Sequence, residues 1–340
     1  MRRLKVLIIG GTGIISRACV REAVEQGHEV HVLHRGSTSS RGHEADAVRH
    51  IADIRDADAV AGAIAGIRFD VVAQFLAFTE EHVARDLLTF RDAGQYIFVS
   101  SASAYQTPPS ALPVTESTPL RNPFWQYSRD KIAAEDRLVR AYRESGFPVT
   151  IVRPSHTYDA TMLPFDAGWT VVDRMRRGAE VVVHGDGTSL WTITHSTDFA
   201  RGFVGLFGRA QAIGEAFHIT GDEAPTWNRI YEEIARAAGV VPRLVHIASE
   251  TIAAADPDWG AALLGDKANS MTFDNSKLRR LVPDFRAEIP FAQGAEQIID
   301  WHDAHPESRV VDPRWDRLMD VLVDRNTRVT GPIAPEGTTP

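Results

Sequence analysis

A tyrosine and a lysine four residues apart, Tyr127 and Lys131, sit in segment 126–144, where apolar residues recur at three- and four-residue intervals. On a helix that spacing turns the phenol and the ammonium to the same face. The pair could do acid–base chemistry. A phenol is a poor base near neutral pH, and a neighbouring cation favours its phenolate. An apolar run at 96–99 ends in Ser100-Ser101-Ala102-Ser103-Ala104-Tyr105. A serine hydroxyl there could hold a reacting hydroxyl or carbonyl oxygen while Tyr127 moves the proton.

Such side chains need a scaffold and a partner molecule. The first apolar run, 6–9, passes into Gly10-Gly11-Thr12-Gly13-Ile14-Ile15-Ser16 and then into an amphipathic stretch. A glycine turn between a first strand and a first helix is a pyrophosphate cradle: Gly10 allows the turn, and Gly13 lets backbone approach the ligand over the helix N–H groups. Gly10, Gly13, Ile14 and Ile15 are therefore expected to bind a dinucleotide. After the second apolar run the chain reads His34-Arg35-Gly36-Ser37-Thr38, with no carboxylate to hold ribose hydroxyls. Arg35, helped by Ser37 and Thr38, suits a 2′-phosphate instead, which favours NADP(H) over NAD(H). Asp53 and Ile54 stand where adenine would be read. Leu76, Ala77 and Phe78 form an apolar wall, with Phe78 toward substrate, and Phe124 and Trp125 are expected to line the substrate site.

Continuous apolar runs at 6–9, 30–33, 71–75, 96–99 and 149–152 alternate with helical stretches. That rhythm implies an α/β fold, a doubly wound parallel sheet covered on both faces. Residues 1–155 read as the dinucleotide-binding domain. Residues 156–330 read as a smaller mixed substrate-binding region that returns strands and helices to the core, and residues 331–340 as a disordered tail. A short helix is expected around 315–323.

Composition narrows the class. The 340 residues carry a net charge of −8, which argues against a nucleic-acid partner. No run approaches the roughly 18–20 apolar residues of a membrane span, and a cytoplasmic location follows as an expectation. The lone Cys19 excludes an internal disulfide or a cysteine-built metal site. On one strand His31 would point opposite to His28 and His34, so no metal is expected.

These motifs together resemble the extended short-chain dehydrogenase/reductase superfamily, in its epimerase/dehydratase branch. The resemblance spans roughly residues 4–300. It rests on Gly10-Gly11-Thr12-Gly13, Asp53, the serine turn ending at Tyr105, Tyr127-x-x-x-Lys131, and Arg153-Pro154-Ser155-His156-Thr157-Tyr158. It implies Ser101 as the catalytic serine, with Ser100 and Ser103 as alternatives. It further implies Tyr127 as general acid/base, Lys131 as ribose anchor, Pro154 and Ser155 beside the nicotinamide, and a homodimer. Two departures stand out. Ser101 is followed by Ala102-Ser103 rather than the Asp-Glu pair of sugar-nucleotide dehydratases. Trp191 stands where relatives grip the substrate diphosphate with arginine; tryptophan can stack on a sugar or base, or simply pack. The expected substrate is thus a sugar, glycoside or nucleoside without a diphosphate, oxidised or reduced at a secondary carbon. A nucleotide-sugar epimerase, a simple NADPH-dependent carbonyl reductase and a non-catalytic dinucleotide-binding sensor or scaffold are the alternatives. His156 and His195 are expected near the pocket, chiefly as hydrogen-bonded structural residues, with His156 also a candidate substrate contact.

Overall fold

The computed structural model describes residues 2–36 and 46–330. Ser37 and Thr38 of the arginine-bearing loop, and the tail 331–340, lie outside the described residues.

The amino-terminal half alternates strands and helices as its apolar rhythm requires: β1 (Lys5–Ile9), α1 (Ile14–Glu25), β2 (Glu29–His34), β3 (Val48–Ile51), α2 (Ala57–Ala63), β4 (Val71–Gln74), α3 (Glu80–Thr89), β5 (Tyr96–Val99), α4 (Gln126–Ser145) and β6 (Val149–Pro154). The remainder adds β7 (His156–Tyr158), α5 (Trp169–Arg176), β8 (Glu180–His184), β9 (Ile193–His195), α6 (Ser196–Val204), β10 (Ala216–Ile219), α7 (Trp227–Ala237) and β11 (Arg243–Ile247). Five helices follow: α8 (Ser249–Ala255), α9 (Pro257–Ala262), α10 (Ser276–Leu281), α11 (Phe291–Ala304) and α12 (Pro313–Thr330). The last extends well beyond 315–323 and is tethered by Arg174, whose Nη2 reaches Asp320 at 2.6 Å.

Seven parallel strands form one sheet in the order β10-β6-β5-β4-β1-β2-β3. Strand β1 shows why it must be covered twice. Val6 and Ile8 pack with Ala18, Cys19 and Phe203 of α1 and α6, while Leu7 and Ile9 pack with Val83, Ala134 and Leu138 of α3 and α4. Alternate side chains of one strand enter opposite layers, so both faces are apolar and no polar alternation survives. Strand β10, from the second half, completes the sheet beside β6. The other late strands form two small parallel pairs, β7 with β9 and β8 with β11, over a third apolar core.

Chain direction along the sheet reverses between β1 and β4, and the loops at their carboxyl ends diverge there. Such a switch point opens a crevice for ligand. Among the described residues, no helix is long and apolar enough to cross a membrane.

Candidate active site

Two cavities meet at this crevice. One, of about 480 Å³, is lined by the glycine turn, the serine turn, Tyr127, Lys131, Pro154 and Ser155. The other, of about 260 Å³, is lined by Gly10, Thr12, His34, Arg35, Asp53 and Ile54. Leu76 and Phe78 border both, so the two form a continuous trough from the tip of β2 to the serine turn. Ile14 and Ile15 line the larger chamber.

The glycine turn itself tests whether a dinucleotide fits. Gly10 and Gly11 have φ of 116° and 68°, and a Cβ on Gly11 would strike Val32 at 2.2 Å, so both glycines are needed by the fold. Gly13 is different. Its φ is −79°, and a Cβ there would meet only Ser16 Oγ, at 3.4 Å. Nothing within the protein demands glycine at this exposed position; the open space in front of α1 is what a pyrophosphate would use. Ser16, in place of a third glycine, turns its hydroxyl onto Gly13, accepting from its N–H at 3.1 Å. We expect Gly13→Ala to leave stability within about 1 kcal/mol, since alanine tolerates this backbone and only a weak cap changes. Cofactor affinity should nevertheless fall roughly 5- to 150-fold, the effect of about 1–3 kcal/mol of overpacking against a bound phosphate. Thermal melting alongside dinucleotide titration separates the two effects.

Three serines form a relay. Ser128 Oγ donates to Ser103 Oγ at 2.8 Å, and Ser103 Oγ lies 2.9 Å from Ser101 Oγ. With Ser103 accepting from Ser128 and giving its own hydrogen to Ser101, the Ser101 hydrogen is left for the cavity. Ser101 also accepts from the Ser103 N–H. Its hydroxyl bonds the Tyr127 phenol, partly offsetting the upward push of burial on that phenol; the Asp266 carboxylate pushes it further up.

Lys131 departs from the sequence expectation. Its ammonium, almost fully buried, donates to the backbone carbonyls of Ala77 and Val99, both at 2.8 Å. It lies 5.8 Å from the centre of the Tyr127 ring and 4.7 Å from that of Phe78. Desolvation pushes it down to about 7, with Glu135 one turn away opposing. Within the protein alone, therefore, burial dominates both groups, and the phenol is raised rather than lowered. Ala77 contributes its carbonyl to Lys131 and does not line the main trough.

The substrate side also differs in detail. Phe124 is exposed and lies outside the cavity wall; Trp125 takes that place, its ring 4.9 Å from Tyr127. The cause is Asn122, whose Oδ1 accepts from the N–H groups of Phe124 and Trp125 and so sets the entry into α4. His195 does not reach this cavity: it caps α6 through Thr197 N–H and packs edge-on against Tyr158. His156 does line it, but is not the satisfied histidine expected. Among the described residues its buried Nε2 has no partner, and burial pushes the ring down to about 4. Trp191 packs on Trp227 and lines the cavity, with its buried Nε1 likewise unpartnered; Ser100 Oγ shares that state. Pro154 is buried, and Ser155 donates to the Thr192 carbonyl.

Two residues that sequence reasoning passed over complete the site. Asn122 donates to the carbonyls of Ser103, at 2.9 Å, and Gly265, at 2.6 Å, linking the serine turn to a π-helical turn, Leu263–Lys267. An asparagine before proline, just ahead of a helix, is a readable turn signal. Asp266, on the π-helical turn, lines the cavity. Leu263-Leu264-Gly265-Asp266-Lys267 carries no motif that would have singled it out.

A model of the NAD dependent epimerase/dehydratase family matches residues 6–92 and 86–220. The chain is similar to 2'-dehydrokanamycin reductase of Streptomyces kanamyceticus, at 26% identity over 290 residues, 83% of this chain and 80% of the relative. It is also similar to a dTDP-glucose 4,6-dehydratase of Actinoplanes, at 25% identity over 335 residues, 89% of this chain and 98% of the relative. Its fold is shared with dTDP-glucose 4,6-dehydratase of Bacillus anthracis in complex with NAD, at a TM-score of 0.71 and 17% identity, over 89% of this chain and 98% of that one. The chain belongs to the NAD dependent epimerase/dehydratase family and is thus an NAD(P)-dependent enzyme of the short-chain dehydrogenase/reductase superfamily.

Proposed function

We propose that the protein oxidises or reduces a secondary carbinol or ketone on a sugar-like substrate that carries no diphosphate, with NADP(H) as the favoured cofactor. The observation that carries this reading is the junction of the two cavities: they share Leu76 and Phe78 and run from the tip of β2 to Ser101, Tyr127 and Lys131, in a chamber that no arginine lines among the described residues. Trp191 stands in its wall instead, and tryptophan cannot neutralise a pyrophosphate. The relative named for reducing 2'-dehydrokanamycin is consistent with that direction.

Roles follow from position. Ser101 Oγ, relieved of its donor duty by Ser103, holds the reacting oxygen. Tyr127 takes the hydroxyl proton in oxidation as its phenolate and, as its phenol, returns it in reduction. Lys131, fixed by two carbonyls, is the ribose-side cation. When bound, a nicotinamide dinucleotide supplies hydride exchange at the carbon bearing that oxygen. Titrating UDP- and dTDP-sugars, beside diphosphate-free glycosides and nucleosides, tests the substrate class: turnover of the latter supports it, and micromolar binding of the nucleotide sugars overturns it.

Cofactor choice rests on the outer end of the trough. Arg35 and Arg55 both line it, and Asp53 is its one carboxylate among the described residues. Asp53 already accepts from the Arg55 N–H. A guanidinium pairs bidentately with a 2′-phosphate. Arg35→Ala should weaken NADP(H) binding by roughly 10- to 100-fold, the range for a charge-assisted contact, while NAD(H) binding holds. Equal losses for the two cofactors would contradict the assignment.

A further inference from the structure

The π-helical turn Leu263–Lys267 is held in place from both sides. Asn122 Nδ2 bonds the Gly265 carbonyl, and a Cβ on Gly265 would come within 2.7 Å of Trp125. At its end, the Lys267 carbonyl accepts from His184 Nε2, Ser189 Oγ and Trp227 Nε1, at 3.1, 3.0 and 3.1 Å. Breaks in regular helix of this kind recur at functional sites. What the turn presents to the cavity is Asp266.

Among the described residues this carboxyl has neither a hydrogen bond nor an ion pair. Its neighbour Lys267 is engaged with Asp166, at 2.7 and 2.6 Å. The other cation of the chamber, Lys131, is committed to two carbonyls. Desolvation pushes the carboxyl up to about 7, with Lys267 pulling it down and Asp166 pushing it up. An acid in such a setting lacks a positive partner. Three lining residues also keep a buried polar atom without a partner among the described residues, Ser100 Oγ, His156 Nε2 and Trp191 Nε1, and Trp125 and Phe273 add aromatic faces. Unpaired polar atoms inside an apolar chamber mark what a ligand brings. Here the carboxyl calls for one positive charge, carried on a ring that can lie against the aromatic walls.

We propose that Asp266 pairs with a protonated amine on the substrate, so that this enzyme takes amino sugars or amine-bearing glycosides. The inference rests on the chamber being the substrate end of the oxidoreductase site described above. A charged amine satisfies the carboxylate, and the carbon skeleton of its ring lies on the aromatic walls.

The test uses the holoenzyme, loaded with dinucleotide, and hexosides with an amine at each ring position in turn. Each is titrated calorimetrically beside its hydroxyl and N-acetyl counterparts. At least one amine should bind about tenfold or more tighter than both counterparts. Asp266→Asn should abolish that preference while dinucleotide affinity and melting temperature hold. In the parent enzyme the preference should fade as pH drops below about 7, as the carboxyl protonates. The other charged or titratable groups in or beside the chamber are Lys131, Tyr127, His156, His184, Lys267 and Asp166; because Asp266 itself bears on Tyr127, each amine is compared with its own hydroxyl and N-acetyl counterparts within one protein at one pH. If no amine is preferred, or the preference survives in Asp266→Asn, the proposal is overturned. If Asp266→Asn does not fold, the N-acetyl comparison and the pH series on the parent enzyme still decide. Turnover of neutral glycosides without amine preference would sink this inference alone, whereas micromolar nucleotide-sugar binding would remove the reading beneath it.

Discussion

A Tyr127→Phe enzyme is expected to fold and bind dinucleotide as the parent does, yet turn over its substrate roughly 10²- to 10⁴-fold more slowly, the usual range for a positioned acid–base group. The phenol is the polar end of a side chain already packed between the tilted rings of Trp125, at 4.9 Å, and Phe78, at 6.5 Å. Phenylalanine retains both ring contacts. The hydroxyl's partner, Ser101, remains supported by Ser103, so removing one oxygen leaves no buried group stranded. Loss in kcat with dinucleotide affinity unchanged is the signature to seek in steady-state kinetics and binding. A Tyr127→Phe protein that leaves the cellular phenotype unchanged would instead favour a sensor or scaffold on the same fold.

The second large effect is expected at Glu135, which touches neither cavity. Its carboxylate holds Arg153 through three contacts, Nε at 3.0 and 3.2 Å and Nη2 at 2.5 Å, and both side chains are almost wholly buried. The guanidinium also lies 4.8 Å over the Tyr105 ring. Tyr105 continues the network to His218 Nδ1 at 3.1 Å, and His218 donates from Nε2 to the Asp274 carbonyl at 2.8 Å. Glu135→Gln removes the negative member and leaves a buried cation uncompensated. That should cost about 3–5 kcal/mol, read as an earlier denaturant midpoint. A second readout belongs to catalysis. Glu135 is the group that opposes the desolvation of Lys131, so its loss drives the lysine below about 7. The alkaline limit of kcat/KM that reports the ammonium should then move to lower pH. The linkage sign agrees. A lysine whose folded pKa is depressed makes protonation unfavourable for the native state as pH falls from the unfolded value through about 7. Stability from this group therefore rises with pH across that window, which reaches to lower pH in Glu135→Gln. A merely structural role would lower stability without shifting the pH profile.

Much of this enzyme was legible in the chain. The alternation of apolar runs and helical stretches specified a doubly wound sheet, because buried parallel strands must be apolar on both sides and Val6-Leu7-Ile8-Ile9 can satisfy nothing else. The glycine turn and the four-residue interval from Tyr127 to Lys131 were readable because backbone dihedrals and helical faces are set by near neighbours. What tertiary structure decided is which groups meet. Lys131 finds the carbonyls of Ala77 and Val99, from other elements, and burial in that company sets its charge. Trp125 rather than Phe124 faces the cavity because one asparagine side chain sets the angle at which α4 begins. Asp266 reaches the chamber on a π-helical turn clamped by Asn122, His184, Ser189 and Trp227, residues far away in sequence. Periodicity describes one element at a time; the electrostatics of a cavity depend on how several elements close over it, and no local pattern in the chain carries that information.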